Sequence, residues 1–189
     1  MAVGGLTRGT GLTTTGSGAQ NAWGANGWDG NASAAAAISA NDFVTFSVTA
    51  DPGFNVSFSS VSAYNIRRSN NGPTTGQWQY QVGAGSFVDI GSEITWGATI
   101  NASGNAQTAI DLSGITALQS VAPGTTVTFR IANYNASSNA GTWYLNDPSD
   151  SPGNDFIVNG TTSLIPEPTT AALALGLGGL AMARRRRTA

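Results

Sequence analysis

The side chains that most often perform catalysis are missing from this sequence. It contains no histidine and no cysteine, and all eight of its basic residues are arginine. A Ser-His-Asp triad, a thiol nucleophile and a lysine Schiff base therefore cannot be built, and the commonest zinc ligands are absent. A carboxylate pair of the kind that glycosidases use could still come from Asp89, Glu93 and Asp111. These acids fit solvated turns and strand edges better, so we predict that the chain is not an enzyme.

A loop near residue 150 offers oxygen ligands for a cation. Asp147, Asp150, Asn154 and Asp155 lie within nine residues of a stretch rich in proline and glycine. Carboxylate and amide oxygens in a flexible frame are ligands that calcium accepts. The spacing matches no EF-hand, and Asp and Asn also occur in turns because they bond their own backbone. Calcium held by Asp147, Asp150 and Asp155 is thus the one candidate cofactor, with an ordinary turn as the alternative.

Exposed aromatic rings are a second candidate chemistry, because they can stack on sugar rings beside polar donors and acceptors. The candidates for glycan contact are the aromatic residues in predicted loops or opposite core-facing neighbours: Trp23, Trp28, Trp96 and Tyr144. Trp78, Tyr80 and Trp143 occupy strand positions that are more typical of a core.

Arginines are scarce before the C-terminus, and three of the four there are Arg67, Arg68 and Arg130. An arginine on a strand can stack on an aromatic ring or bridge to an acid such as Asp111 or Asp147. We favour this structural role for all three, and ligand binding is the alternative.

Strand patterns dominate the chain between residues 43 and 158. Apolar and polar residues alternate in Phe43–Thr49, Gln77–Val82 and Val127–Tyr134, as in half-buried strands. Turn residues such as Asp51-Pro52-Gly53 separate the strands, and only single helical turns are expected, at Ala34–Ile38 and near residues 113–120. The sequence therefore predicts an all-β protein, a jelly-roll-like antiparallel β-sandwich, followed by a short C-terminal hydrophobic helix.

The chain divides into a sandwich domain, residues 1–160, and a linker with a C-terminal tail, residues 161–189. Without the acid at position 167 and the terminal arginines, four arginines stand against nine acids, a net charge of −5. Such a surface should repel nucleic acid, so no nucleic-acid partner is expected. Because the chain has no cysteine, the core must hold by packing alone.

The tail has three parts in a fixed order. Pro166, Glu167 and Pro168 should be extended, an uncharged run follows at 169–183, and Arg184, Arg185, Arg186 and Arg187 come last. This run of 15 residues would be about 22 Å long as a helix, whereas a helix that crosses a bilayer needs roughly 20 residues. We therefore expect a transient membrane contact, with the arginine cluster on the cytoplasmic side. An amphipathic surface helix or a basic nucleic-acid tail fits poorly, because the apolar residues surround the whole helix.

This order of motifs resembles the PEP-CTERM sorting signal of Gram-negative bacteria. The resemblance covers the last eighth of the chain, and it implies that a membrane enzyme, exosortase, recognises the Pro-Glu-Pro motif and processes the tail during export. A second resemblance, to a module common among PEP-CTERM surface proteins, covers parts of the sandwich. That module is similar in outline to the jelly rolls of carbohydrate-binding modules. Its segments are Tyr64–Ser69, Gly72-Pro73, Trp78, Ile110–Ser113, Val127–Arg130 and Gly141–Trp143. Such modules usually end in a Leu-Asp-Asn-like strand, whereas here Leu145-Asn146-Asp147 runs into a polar insertion.

Export also requires an N-terminal leader, and the first eight residues have neither a basic start nor an apolar core. We expect that the sequence is an N-terminally incomplete fragment or begins at a misplaced start. The function expected is that of a non-enzymatic cell-surface or extracellular-matrix protein of the cell envelope, with exosortase, the membrane and extracellular polysaccharide as partners. The alternative is a carbohydrate-binding, lectin-like module for exopolysaccharide, assisted by calcium.

Overall fold

The computed structural model describes residues 1–14, 18–19, 21–148 and 156–166, and within them the chain is built mainly of short strands. In chain order the strands are β1 (Ala2–Arg8), β2 (Ala22–Ala25), β3 (Phe43–Thr49), β4 (Phe54–Val61), β5 (Tyr64–Arg68), β6 (Thr75–Val82), β7 (Val88–Thr95), β8 (Asn105–Gln107), β9 (Ile110–Asp111), β10 (Thr126–Tyr134), β11 (Trp143–Asn146) and β12 (Val158–Leu164). Helical structure in these ranges comprises α1 (Ala34–Ala40) and a 3₁₀ turn at Thr116–Leu118.

The strands form antiparallel sheets that pack as a sandwich, which confirms the predicted fold class. One layer is a five-stranded sheet in the order β1-β3-β10-β6-β7. The strands β2-β11-β5-β8 and β12-β4-β9 make two smaller sheets. Strands distant in sequence become neighbours in this order, so most of the pairing is long-range. The predicted C-terminal helix lies outside the described residues.

Aromatic rings from both layers fill the middle of the sandwich. Phe46 of β3 stacks on its cross-strand neighbour Phe129 of β10, with 5.0 Å between ring centroids. Phe58 of β4 meets Phe129 edge-on at 5.4 Å, and this contact joins the two layers. Tyr64 of β5 meets Trp78 of β6 at 6.1 Å in the same way. The alternation predicted for β3 is confirmed, because every second residue of that strand is buried. The half-buried pattern predicted for β6 and β10 is wrong, because their outward-facing residues Gln77, Gln79 and Arg130 are buried too.

A short helix closes one end of the five-stranded sheet. The Ser33 hydroxyl accepts a hydrogen bond from the Ala36 N–H at 3.2 Å and caps the first turn of α1. Asn41 ends the helix in the left-handed conformation, at φ 61°. The helical turn predicted at Ala34–Ile38 is therefore confirmed. The helix contacts β10 and leads directly into the buried Asp42.

Two features differ from the sequence-based description. The strand patterns read from the sequence begin at residue 43, but β1 and β2 both form before it, one in the five-stranded sheet and one in the four-stranded sheet. The last strand, β12, pairs with β4 as far as Leu164, which lies opposite Phe54. The predicted domain boundary at residue 160 falls inside this strand, so the sandwich continues four residues further than the sequence indicated.

Candidate functional site

Two of the four aromatic residues predicted to contact sugar lie in the core. Trp28 and Trp96 are fully buried, and each packs against Trp143, at 6.0 Å and 5.5 Å between ring centroids. The Trp28 indole donates to the Ala25 carbonyl at 3.0 Å, and the Trp96 indole donates to the Asn133 side chain at 2.9 Å. The prediction that these two rings contact a glycan is wrong, because the segments that carry them fold into the core between the sheets.

The other two aromatic candidates are also covered at least in part. Trp23 is partly buried, and the Arg8 guanidinium lies 4.3 Å from its ring centroid. Tyr144 points away from the core, since its neighbours Trp143 and Leu145 both belong to the core cluster. It is nevertheless only 5% exposed. Any side chain at position 24 would collide with the Tyr144 ring, so the Gly24 backbone covers part of that ring. Stacking of a sugar on Tyr144 is therefore not supported.

Arg130 belongs to a closed polar cluster on the outer face of the five-stranded sheet. Its guanidinium lies 3.7 Å from the Phe87 ring centroid and donates to the Gln79 side chain at 2.8 Å. Gln79 in turn donates to Asp89 at 2.7 Å. Burial lowers the pKa of Arg130, and the Asp89 carboxylate acts in the opposite direction. The aromatic stacking predicted for a strand arginine is confirmed here.

Arg68 points inward and holds the turn that follows β5. Its Nε donates to the Pro73 carbonyl at 2.8 Å, and its Nη2 donates to the Gly72 carbonyl at 2.9 Å. Longer contacts reach the carbonyls of Asn70 and Gly97 at 3.3 Å and 3.4 Å. Burial lowers the pKa of this guanidinium. The prediction that Arg68 stacks on a ring or bridges to an acid is wrong, because backbone carbonyls supply its partners.

Arg67 lies on the opposite face of β5 and is half-buried. It stands directly across from Tyr144 of β11, a pairing that places the two Cβ atoms about 5 Å apart. Both side chains line a pocket of about 180 Å³ whose walls are mainly polar. The pocket is completed by Gly18, Ala19, Arg68, Ser69, Ile100 and Thr142. This pocket, called the Arg67 pocket below, is the only place where a predicted glycan residue and a predicted structural arginine meet among the described residues.

The Arg67 pocket carries positive charge that no described acid offsets. Within the described part of the chain, Arg67 makes no hydrogen bond, ion pair or ring contact, whereas Arg8, Arg68 and Arg130 are all engaged. The partners of Arg68 are carbonyls, so its charge is not neutralised either. The Ser69 hydroxyl oxygen accepts the Thr142 N–H at 2.9 Å, which leaves its own proton free to donate. These groups are chemically suited to an anionic or hydroxyl-rich ligand.

The three acids considered for catalysis do not come together. Asp89 lies on β7 of the five-stranded sheet, and Asp111 lies on β9 of the other layer. The Asp111 carboxylate accepts hydrogen bonds from the Ser113 N–H and hydroxyl at 2.9 Å and 2.7 Å, and these bonds lower its pKa. This is the turn structure that the sequence favoured for Asp111.

The calcium prediction falls mostly outside the described residues, since Asp150, Asn154 and Asp155 lie there. Asp147 is described, and its backbone N–H donates to the Asn21 carbonyl at 3.0 Å. In the part of the chain that the structure describes, no group of three or more potential metal-binding side chains occurs. Calcium binding stays a prediction.

A second cavity, of about 350 Å³, opens between the edge strands β1 and β12. Its walls are almost entirely apolar and bear no charged side chain; they include Val3, Leu6, Phe46, Val48, Val56, Phe58, Phe156 and Val158. Its side chains offer little to orient a polar ligand, so the Arg67 pocket is the better candidate for polar chemistry among the described residues.

The sorting motif begins where the described residues end. The Ile165 N–H donates to the Gly53 carbonyl at 2.8 Å, and Pro166 follows as the last described residue. Glu167, Pro168, the apolar run 169–183 and the cluster Arg184–Arg187 lie outside the described residues. The helices that are described are too short and too weakly apolar to cross a membrane.

One feature of the sequence indicates the position of Arg67 in this pocket. The alternation of β5 puts Tyr64, Ile66 and Arg68 on the buried side and leaves Arg67 on the outside. The neighbours Ser69 and Thr142 could not be identified, because the pairing of β5 with β11 joins residues more than seventy positions apart.

Comparison with known proteins does not extend these observations. No family model, no curated protein and no solved structure matches the chain.

Proposed function

We propose that this chain is a non-enzymatic protein of the cell surface or extracellular matrix, exported by Gram-negative bacteria and processed at its tail by exosortase. The observation that carries the proposal is where the described strands end. The last described strand ends at Leu164, and the last described backbone hydrogen bond is donated by Ile165, immediately before the Pro-Glu-Pro motif. Cleavage within or after residues 166–168 would remove the apolar run and the arginines while leaving every described strand in place.

The tail's charge pattern supports the same proposal. Four consecutive arginines follow an uncharged run of 15 residues, which suits a segment that enters the membrane from outside and stops at the cytoplasmic face. The sandwich bears few charges and no cysteine, and it excludes the commonest catalytic machinery by composition. A stable, folded module delivered to the surface accounts for both parts of the chain.

The test is a processing assay in a Gram-negative host that carries exosortase, with an export leader fused to the chain. The expected result is a surface protein shorter than the precursor, and accumulation of unprocessed precursor for Glu167→Gln. The matched control is Glu93→Gln, because Glu93 is the other glutamate of the chain and lies on β7, far from the tail in sequence. Normal processing of the Glu167 variant would contradict the proposal.

A second candidate function is binding of carbohydrate, such as the exopolysaccharide of the matrix. The Arg67 pocket favours it, since an unengaged guanidinium and several hydroxyl groups suit a hydroxyl-rich ligand. A glycan array probed with the full chain tests this function. Specific retention of one glycan class supports it, and failure to bind any polysaccharide contradicts it.

A further inference from the structure

The four arginines that precede the tail differ in how their charge is used. Arg8 lies on the Trp23 ring and donates to the Gly24 carbonyl at 2.7 Å. Arg68 and Arg130 are almost fully buried and hydrogen-bonded. Arg67 has none of these partners, although the protein carries a surplus of acids that could have paired with it. Its guanidinium is the one of the four that remains available to a ligand.

The surroundings of Arg67 restrict what that ligand can be. Ser69, Thr142 and Tyr144, which carry hydroxyl groups, line the same pocket, and Ile100 adds an apolar side chain. A volume of about 180 Å³ is below the size of pockets that enclose drug-sized ligands, so the site holds one small group rather than a whole oligomer. A guanidinium binds a carboxylate through two parallel hydrogen bonds. Hydroxyl groups beside it can form hydrogen bonds with the hydroxyl groups of a sugar.

We propose that the Arg67 pocket binds the carboxylate of an acidic sugar, with Arg67 as the anion ligand and Ser69, Thr142 and Tyr144 as hydroxyl partners. The inference rests on the carbohydrate-binding function proposed above and specifies its ligand class as a uronic-acid polysaccharide. The neighbouring Arg68 strengthens the site, because its charge is held by carbonyls and is not cancelled by a carboxylate. Binding should weaken as salt is added, since the site is partly open to solvent.

The experiment is titration calorimetry of the full chain with an oligogalacturonate, a neutral dextran oligomer and free acetate. We expect the oligogalacturonate to bind, dextran to bind far more weakly, and acetate not to compete at equal carboxylate concentration. Arg67→Gln should weaken oligogalacturonate binding by at least about tenfold, because a charge-assisted bidentate contact is lost. The affinity of Arg67→Lys for the oligogalacturonate should lie between those of the wild type and Arg67→Gln, since lysine keeps the charge but lacks the planar guanidinium.

The matched control is Arg8→Gln, which removes the same charge at a position outside the pocket. Arg8→Gln should bind the oligogalacturonate as tightly as the wild type does. The melting temperature of each variant shows whether that variant is folded. Equal weakening by Arg8→Gln and Arg67→Gln would show a general charge effect and overturn the proposal, as would full competition by acetate. Dextran binding that is insensitive to Arg67 would keep carbohydrate binding and refute the acidic-sugar site. Failure to bind either oligomer would refute both carbohydrate binding and the acidic-sugar site.

Discussion

Adjacent arginines of β5 provide a sharp test of the fold, because only one of them holds the structure together. Arg68→Met removes a guanidinium that bonds the carbonyls of Pro73 and Gly72 at 2.8 Å and 2.9 Å while keeping an unbranched apolar stem. Gly72 and Pro73 are buried, so their carbonyls would lose their partner without gaining water. Hydrogen bonds to charged groups contribute about 1.5–3 kcal/mol each, and relief of charge burial offsets part of this.

We therefore expect Arg68→Met to lower the free energy of unfolding by about 3 kcal/mol. For a domain of this size that corresponds to a fall in melting temperature of roughly 6–12 °C. The assay is urea unfolding followed by tryptophan fluorescence, with thermal unfolding as a second measurement. Arg68→Lys should recover little of the loss, because one ammonium group cannot reach carbonyls on several sides of the turn.

Arg67→Met is the matched control, since it makes the same substitution one residue earlier. Arg67 is half-buried and has no hydrogen bond, so the variant should stay within about 0.5 kcal/mol of the wild type. If Arg68→Met costs less than about 1 kcal/mol, or if both variants lose equal stability, the turn is not held by Arg68 and the reasoning fails.

Three further substitutions test the core and its ionisable groups. Burial raises the pKa of Tyr64 to about 12, above the value of the unfolded chain. The native state therefore holds this proton more tightly, and stability should fall by roughly 2–3 kcal/mol between about pH 10 and pH 12. Urea unfolding at several alkaline pH values should show a smaller fall for Tyr64→Phe, in which Tyr134, whose pKa burial also raises, still contributes; an unchanged slope in the variant would contradict the prediction. Burial also raises the pKa of Asp42, whose Oδ1 is buried without a partner. Asp42→Asn should accordingly raise the melting temperature at pH 7, and this gain should shrink toward acidic pH as the wild-type carboxyl is protonated. An unchanged or lower melting temperature at pH 7 would refute this. Finally, Gly76→Ala would press a methyl group against the buried Trp96 ring and should cost about 1–3 kcal/mol in chemical denaturation. Gly5→Ala is its control, because a methyl there meets nothing within 4 Å, and equal losses in the two variants would contradict the packing described.

The strands that bury one face were predictable from the sequence. β3 begins at Phe43 and ends at Thr49, as its alternation predicted, because each apolar residue of the strand must reach the core and each polar residue must avoid it. The same reasoning gave the buried positions of Trp78 and Trp143. The local sequence was sufficient for β3, because the alternation of apolar and polar residues matches the alternation of buried and half-buried positions within that strand.

The candidate site depends on contacts that local pattern does not contain. Trp28 and Trp96 lie in loops, as the sequence indicated, yet both are buried against Trp143, which comes far later in the chain. The inward position of Arg68 followed the period of β5, but its partners are carbonyls of a turn whose shape the sequence does not specify. The meeting of Arg67 with Tyr144 likewise depends on sheet order, which is set by packing of the whole sandwich.

Removal of the tail after export is tested most directly by the intact mass of the protein recovered from the cell surface. The chain should be expressed behind an export leader in a host with exosortase and in an otherwise identical strain without it. With exosortase, we expect a mass that lacks the apolar run 169–183 and the whole cluster Arg184–Arg187. Without exosortase, the recovered chain should retain both. A surface protein that keeps its terminal arginines in the exosortase-bearing strain would contradict the proposed sorting and processing.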